Sequence, residues 1–384
     1  MMNNQNKFLS KKGNQLMIYG EKWENFYPMS KPEKALLMIK KRIEDNVQYF
    51  DSLTKKLFPN SICAFATKVA PESEILKVIK KANNTFGIEV YNDKELKMAY
   101  EHGYEQIIVD GYYKPNDFLN NCVEHNVMLI NITSIDEFIR LNEICKNKSY
   151  RQPVGIRIKA TSDSKVGIST KELLIEIKNL KKYNWLSIEA LHMHVGSNSQ
   201  NFELNYSAFK ELLSALNICK MENIEIKYLD IGGSYGERII YGDKLENYLL
   251  SIKKMFSDYK NLVFIFEPGR AIVADAGLLI STVSSINHFD KIININITPS
   301  PFLFTTGATF MCAFPDYVQP DVTIAYSIAG IWPTANDIIK AELVKNIIPY
   351  SIKIGDYFII YNAGAYVTDR LTEYSFDNIP LIYV

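Results

Sequence analysis

The sequence has no run of eighteen apolar residues, so no transmembrane helix is expected from it. Its polar N-terminus, Met1-Met2-Asn3-Asn4-Gln5-Asn6-Lys7, leads into neither a long apolar core nor a small-residue cleavage site, which speaks against a signal peptide. Neither sign of charge is in excess: 43 Lys and Arg balance 43 Asp and Glu. That removes the electrostatic case for a nucleic-acid partner or an anionic membrane surface. The five cysteines (Cys63, Cys122, Cys145, Cys219, Cys312) are scattered, with no CxxC pair, so neither a disulfide scaffold nor a structural zinc site is expected. His102, His125 and His288 lack metal-ligand spacing and read as surface or helix-end residues. No metal is expected. A cytoplasmic enzyme acting on a small molecule is the default that remains.

What is present is length, apolar content and rhythm. The 384 residues, 47% apolar and 12% aromatic, suffice for two domains or one large barrel with an accessory domain. Residues 1–35 are irregular, apart from a strand-like piece at Gln15–Tyr19, and residues 1–33 form the N-terminal segment. From Lys34 to Asp51 the spacing of Leu36, Leu37, Ile39, Ile43 and Val47 predicts a helix. Eight apolar strands then alternate with helices, beginning at Ile62, Ile88, Ile107, Val127, Val154, Ile188, Tyr228 and Val263. This is the pattern of a parallel (β/α)8 barrel spanning residues 34–276. A doubly wound open sheet is the rival, disfavoured because no Gly-rich dinucleotide fingerprint follows the first strand. Beyond residue 277, strands at Leu278–Ile286, Ile292–Ile297, Val322–Ile328 and Tyr357–Asn362 predict a mostly β domain over 277–384, joined by the N-terminal segment.

Active sites of such barrels lie at the C-terminal ends of the strands. Lys68, in Phe65-Ala66-Thr67-Lys68-Val69-Ala70, ends the first strand. Burial would lower its pKa and make it a nucleophile towards an aldehyde; the alternative is a strand-end lysine that reaches solvent. Glu89 lies on the second strand and Arg157 on the fifth. His194-Val195-Gly196-Ser197 ends the sixth, Asp230-Ile231-Gly232-Gly233-Ser234-Tyr235-Gly236 the seventh, and Glu267-Pro268-Gly269-Arg270 the eighth. Taken singly, a Gly-Gly pair reads as a turn, a lone histidine as a core residue and Glu-Pro-Gly-Arg as a surface turn. In one register they form a phosphate cradle with an arginine clamp, an acid for a protonated ring nitrogen and a histidine to stack on a flat ring. Pyridoxal phosphate on Lys68 fits that set.

These motifs resemble the fold-type III pyridoxal-phosphate decarboxylases, the family of diaminopimelate, ornithine and arginine decarboxylases, over about residues 19–384. Phe-Ala-Thr-Lys-Val-Ala is similar to the family's Tyr-Ala-x-Lys-Ala-Asn, which gives Lys68 the Schiff-base role. Gly87-Ile88-Glu89-Val90 makes Glu89 a neighbour of Lys68 and of the cofactor hydroxyl. Ile156-Arg157-Ile158 and Ser164-Lys165-Val166-Gly167 resemble the Arg-Ile and Ser-Lys-Phe-Gly pieces. His192-Met193-His194-Val195-Gly196-Ser197 implies that His194 stacks on the ring and that Ser197 lies near the phosphate. Asp-Ile-Gly-Gly-Ser-Tyr-Gly resembles Asp-Ile-Gly-Gly-Gly-Phe-Gly, implying phosphate contacts from Gly232, Gly233 and the Ser234 N–H. Glu-Pro-Gly-Arg gives Glu267 the ring nitrogen and Arg270, after Gly269, the phosphate. Gly364-Ala365-Tyr366 places Tyr366 on the phosphate. The resemblance also implies a homodimer with shared active sites; aromatic residues Phe302, Phe304, Phe310, Phe314, Tyr317, Tyr326 and Trp332 are compatible with a buried interface.

Two departures stand out. The family's Gly-Pro-x-Cys-Asp/Glu-x-x-Asp segment supplies a protonating cysteine and an acid for a distal ammonium. Here it reads Gly330-Ile331-Trp332-Pro333-Thr334-Ala335-Asn336-Asp337, so Pro333 and Thr334 take those places and only Asp337 is kept. The Asp-Gly turn opening the second domain is replaced by Asn296-Ile297-Thr298-Pro299-Ser300-Pro301. The resemblance therefore implies decarboxylation of an amino acid or derivative that is not a free diamine type, with Trp332, Thr334 and Asp337 at the substrate. Trp332 and Tyr326 read either as lining the substrate pocket in place of the lost acid or, equally, as plain core or interface residues. Lys68, a tyrosine or water remain as proton donors. Racemisation or other Cα chemistry, and a non-catalytic cofactor-binding homologue, are the alternatives.

Overall fold

The computed structural model describes residues 8–12, 15–28, 30, 32–198, 201–237, 244–297, 312–313, 323–324, 326–333, 335–339, 348–349, 352–368, 371 and 378–384. They fall into two compact units, residues 46–236 with 240–272, and residues 1–45 with 237–239 and 273–384.

In the first unit eight parallel strands close a barrel: Ile62–Ala66, Gly87–Val90, Ile107–Val109, Leu129–Ile132, Gln152–Arg157, Leu186–His192, Tyr228–Asp230 and Val263–Phe266. The eighth strand returns to the first through Ile265 opposite Ile62 and Phe266 opposite Cys63. Closure excludes the open sheet. Ala64, Ile108, Leu129, Ala190 and Ile265 pack one core cluster of the barrel strands. The strands read as near-continuous apolar runs because both faces are covered, by this core and by the outer helices. Those helices start where short polar side chains accept backbone N–H groups: Asn92 from Glu95, Ser134 from Glu137, Ser169 from Glu172, and Asn201 from Glu203 and Leu204. Each such cap contributes about 1 kcal/mol. His102 and His125 stand at the C-terminal caps of Asp93–Glu101 and Asn116–Glu124.

The second unit corrects one expectation. The run from Lys34 does not start a helix: Ala35–Met38 is a strand, and the helix is Lys40–Leu57. All four strand residues are fully buried, which one face of a helix cannot provide. The strand lies antiparallel to Gly277–Ile280 and parallel to Leu381–Tyr383. Gly277–Asn287, Ile292–Ile295, Ser327–Ala329 and Tyr357–Tyr361 belong to the same sheet system. Where one strand was expected over Val322–Ile328, there are two pieces, Thr323–Ile324 and Ser327–Ala329. Tyr326, fully buried between them, bonds His288 Nδ1 at 2.7 Å, so it is a core residue. Phe8, Trp23, Tyr27 and Leu37 pack with Leu278, Ile280, Ile359 and Tyr361. Beneath them Arg42 grips Asp275 through Nε at 3.2 Å and Nη2 at 2.6 Å. Thr334 and the aromatic residues Phe302, Phe304, Phe310, Phe314 and Tyr317 lie outside the described residues, as does the run 298–301.

Candidate active site

The first barrel strand ends in a single 3-10 turn, Thr67–Val69, that delivers Lys68 to the mouth of the barrel. Gly269 makes that turn fit. A Cβ there would stand 2.4 Å from Val69 Cγ2, so any side chain would displace the residues beside Lys68. The Lys68 side chain keeps 31% of its surface accessible, and its Nζ lies 2.7 Å from Oε2 of the wholly buried Glu89. Burial pulls the ammonium towards a lower pKa, as the sequence suggested. The charges of Glu89, Glu267 and Asp110 outweigh it and hold the amine well above the ordinary lysine value. In this cluster Lys68 is a cation.

Asp110, directly after the third strand, receives Arg157 Nη1 on both carboxylate oxygens, at 3.0 and 2.7 Å. Arg157 is thus locked to an acid rather than standing open. His192 is fully buried, with Nδ1 3.7 Å from Asp110 Oδ1 and Nε2 3.8 Å from Glu267 Oε2. Burial drives its pKa well below the ordinary histidine value. The same burial, with the charges of Asp230, Glu89 and Asp110, pushes Glu267 well above the carboxylate range.

The opposite rim is built of backbone. Gly232 (φ 64°) donates its N–H to Asp230 Oδ1 at 2.9 Å, and Asn131 Nδ2 donates to Asp230 Oδ2 at 2.9 Å. Room for Asn131 comes from Gly155, where a Cβ would lie 2.2 Å from Asn131 Oδ1. Burial moves Asp230 up to about 7. Gly233 donates its N–H to His194 Nδ1 at 3.2 Å, which fixes the imidazole with Nδ1 as acceptor. Burial, reinforced by the Lys68 and Arg157 charges, lowers His194 to about 3, so the ring is neutral. Ser234 takes φ 87°, and its Oγ donates to Gly196 O at 2.7 Å. A left-handed backbone costs a residue with a Cβ about 1–2 kcal/mol. One residue past Gly196, Ser197 Oγ accepts from Arg270 Nε at 3.2 Å.

Lys68, Glu89, Arg157, His194, Ser197, Gly232, Gly233, Ser234, Glu267, Gly269 and Arg270 all belong to the barrel unit. Tyr366, Trp332 and Asp337 belong to the other. Tyr366 sits at φ 62° in the turn after Tyr357–Tyr361. Asp337 holds its own loop: its Oδ2 accepts the Trp332 N–H at 2.7 Å and its carbonyl the Gly330 N–H at 3.0 Å. Four site residues had no role in the sequence reading: Asp110, Asn131, His192 and Asp230. Asp110 carried a legible signal, an acid between an apolar strand and a glycine. Asn131 carried none, because nothing in the sequence tells which strand residues face Asp230.

The site contains polar atoms with nothing to bond. Glu89 Oε1, Glu267 Oε1 and both His192 nitrogens are buried without a hydrogen-bond partner among the described residues. Such atoms are costly unless a ligand meets them. A positively charged heteroaromatic ring carrying an anionic arm suits them, with acids on one side and the Ser234 N–H with Arg270 on the other; the Gly232 and Gly233 N–H groups, expected on a phosphate, are instead given to Asp230 and His194. Asp110, His192 and Glu267 also offer ligand atoms all within 4.8 Å of one another. Because Arg157 already occupies both Asp110 oxygens, a metal ion there would face a guanidinium, and none is assigned.

The comparisons with known proteins agree. Residues 43–274 match the family model for the pyridoxal-binding domain of pyridoxal-dependent decarboxylases. A diaminopimelate decarboxylase of Haemophilus influenzae is 23% identical over 339 residues, covering 83% of this chain and 80% of that one. An ornithine decarboxylase of Candida albicans is 23% identical over 366 residues, covering 81% and 75%. Among solved structures, a diaminopimelate decarboxylase from M. jannaschi superposes with a TM-score of 0.83 at 20% identity, covering 98% of this chain and 93% of that one.

Proposed function

Because the chain belongs to the pyridoxal-dependent decarboxylases, we propose that Lys68 holds its cofactor and that its substrate is an amino acid or derivative without a free distal ammonium. It is a carboxy-lyase that works with pyridoxal phosphate. Bound there, pyridoxal phosphate supplies an electron sink for the electron pair left when the α-carboxylate departs as CO2.

The chain's own residues then have separable tasks. Lys68 is the amine that attaches the cofactor, and Glu89 orients it through the 2.7 Å contact. Glu267 presents a buried carboxyl whose Oε1 is open, which suits a ring nitrogen. His194, neutral and tethered by the Gly233 N–H, offers a flat face. The Ser234 N–H, with Ser197 and Arg270, takes the phosphate, since the Gly232 and Gly233 N–H groups are given to Asp230 and His194. Asp110 and Arg157 neutralise each other, so the pair adds rigidity without net charge. The observation that carries this reading is Lys68 at the mouth of the barrel, 2.7 Å from the wholly buried Glu89.

The substrate class rests on Pro333 and Thr334, which stand where the family resemblance puts a cysteine and an acid. An ammonium left unpaired there would be penalised. We also assign a homodimer and a cytoplasmic location; sedimentation and cell fractionation test those.

The test is the absorption spectrum of the purified protein before and after borohydride, with Lys68→Ala alongside, followed by CO2 release from a panel of amino acids. A borohydride-sensitive band that Lys68→Ala lacks, with CO2 from a substrate bearing no free distal ammonium, is expected. Release from lysine or ornithine instead would overturn the substrate class. A band with Cα proton exchange and no CO2 would move the assignment to racemisation.

A further inference from the structure

Ser234 occupies a backbone conformation that favours glycine, at φ 87°, yet it carries a side chain, and that side chain is 6% exposed and engaged. Its hydroxyl donates to Gly196 O at 2.7 Å. Gly196 itself lies at φ 120°, a conformation that glycine adopts without steric cost. The next residue, Ser197, accepts from Arg270 Nε at 3.2 Å. The hydroxyl therefore joins two loops that each carry part of the anion-binding rim. One brings the Ser234 N–H at the end of the Gly232–Ser234 turn. The other brings Ser197, with Arg270 bonded to it.

We propose that Ser234 is a positioning residue of the phosphate subsite: its hydroxyl ties the turn after the seventh barrel strand to the loop after the sixth, so that both halves of the cradle are set before the anion arrives. A strained residue persists where the surrounding structure over-determines it, and such strain gathers at ligand clamps. Glycine would relieve the backbone and abolish the tie. Preorganisation of this kind raises affinity by removing the ordering cost from the binding step. This inference rests on the reading of the barrel mouth as a cofactor site, but only its phosphate half.

The experiment compares wild type, Ser234→Gly and Ser234→Ala, all freed of cofactor. Each is titrated with pyridoxal phosphate, with pyridoxal, which lacks the phosphate, and with inorganic phosphate; thermal midpoints are recorded without ligand. For Ser234→Gly we expect an unchanged or raised midpoint, together with a loss of about tenfold in affinity for pyridoxal phosphate and for inorganic phosphate. Uptake of pyridoxal is unchanged. Ser234→Ala, which keeps the strain and loses the hydroxyl, shows the same affinity loss with a lowered midpoint. Equal affinities in wild type and Ser234→Gly would overturn the inference, as would equal losses for pyridoxal and pyridoxal phosphate, since a generally loosened barrel moves both. Should wild type bind inorganic phosphate and not pyridoxal phosphate, the cofactor reading fails while the phosphate arm still decides the role of Ser234. Should it bind neither, both fall.

Discussion

Lys68 and Glu89 meet at 2.7 Å across the first two strands of the barrel, and only the lysine keeps contact with solvent. The acid is wholly buried, so its charge is weakly screened and acts strongly on the amine. Replacing it with Gln removes the largest of the charges holding Lys68 above the ordinary lysine pKa. Glu89→Gln is therefore expected to take up pyridoxal phosphate faster at neutral pH. Each unit by which the amine's pKa falls raises the free-amine fraction about tenfold while it remains mostly protonated. Stopped-flow absorbance of the cofactor-free variant reads this directly; a slower uptake would mean that Glu89 matters as an orienting group more than as a charge.

Gly155 leaves the space that Asn131 needs to reach Asp230. With a Cβ only 2.2 Å from Asn131 Oδ1, Gly155→Ala drives the amide away or bends the strand. Overpacking of this kind costs about 1–3 kcal/mol. The expected result is a lower denaturant midpoint with an unchanged slope, and weaker phosphate binding, because Asp230 also holds the Gly232 N–H.

Glu95 is 1% exposed and accepts the Tyr91 N–H at 3.1 Å. Burial, with the Glu89 charge adding, pushes it up to about 8, against an ordinary value of 4.5. Between those values the native chain keeps a proton that the unfolded chain has released. The contribution of Glu95 is thus fully present below 4.5 and is lost as pH rises towards about 8. The slope approaches about 1.4 kcal/mol per pH unit. Glu95→Gln should flatten it, stabilising the cofactor-free protein at about pH 8 and changing little at about pH 4. Urea melts across that range would show it; parallel curves for the two proteins would contradict the assignment.

Tyr235 buries its hydroxyl without a hydrogen-bond partner among the described residues, its ring packed against Phe50 at 5.1 Å. Tyr235→Phe keeps the ring and removes the unsatisfied group. A gain of about 1 kcal/mol is expected, seen as a raised thermal midpoint. Loss of stability would show that the hydroxyl is bonded.

Most of the barrel was legible because its signals are local. Each strand is an apolar run that falls between helices with 3.6-residue periodicity, and the polar motifs sit where strands stop. The helix expected from Lys34 failed for a reason no local signal carries. Leu36 and Leu37 are both buried because partners at 277–280 and 381–383 cover both faces of their strand. The protonation state of Lys68 was misread for a similar reason: burial is visible in an apolar run, but three carboxylates arriving from other strands are not. Asp110, as the partner of Arg157, shows the same limit, since 47 residues separate two groups that are in direct contact.

The strand Ala35–Met38 has a consequence for synthesis. The barrel has all its strands once Phe266 is made, and each pairs with a sequence neighbour except at the closing seam. Ala35–Met38 leaves the ribosome before any barrel strand, yet one of its edges stays open until Leu381–Tyr383 emerges. During translation that apolar segment is an unpaired edge, the kind of surface that chaperones hold and that neighbouring chains can capture. Yield on expression should depend on how fast the last residues follow the first.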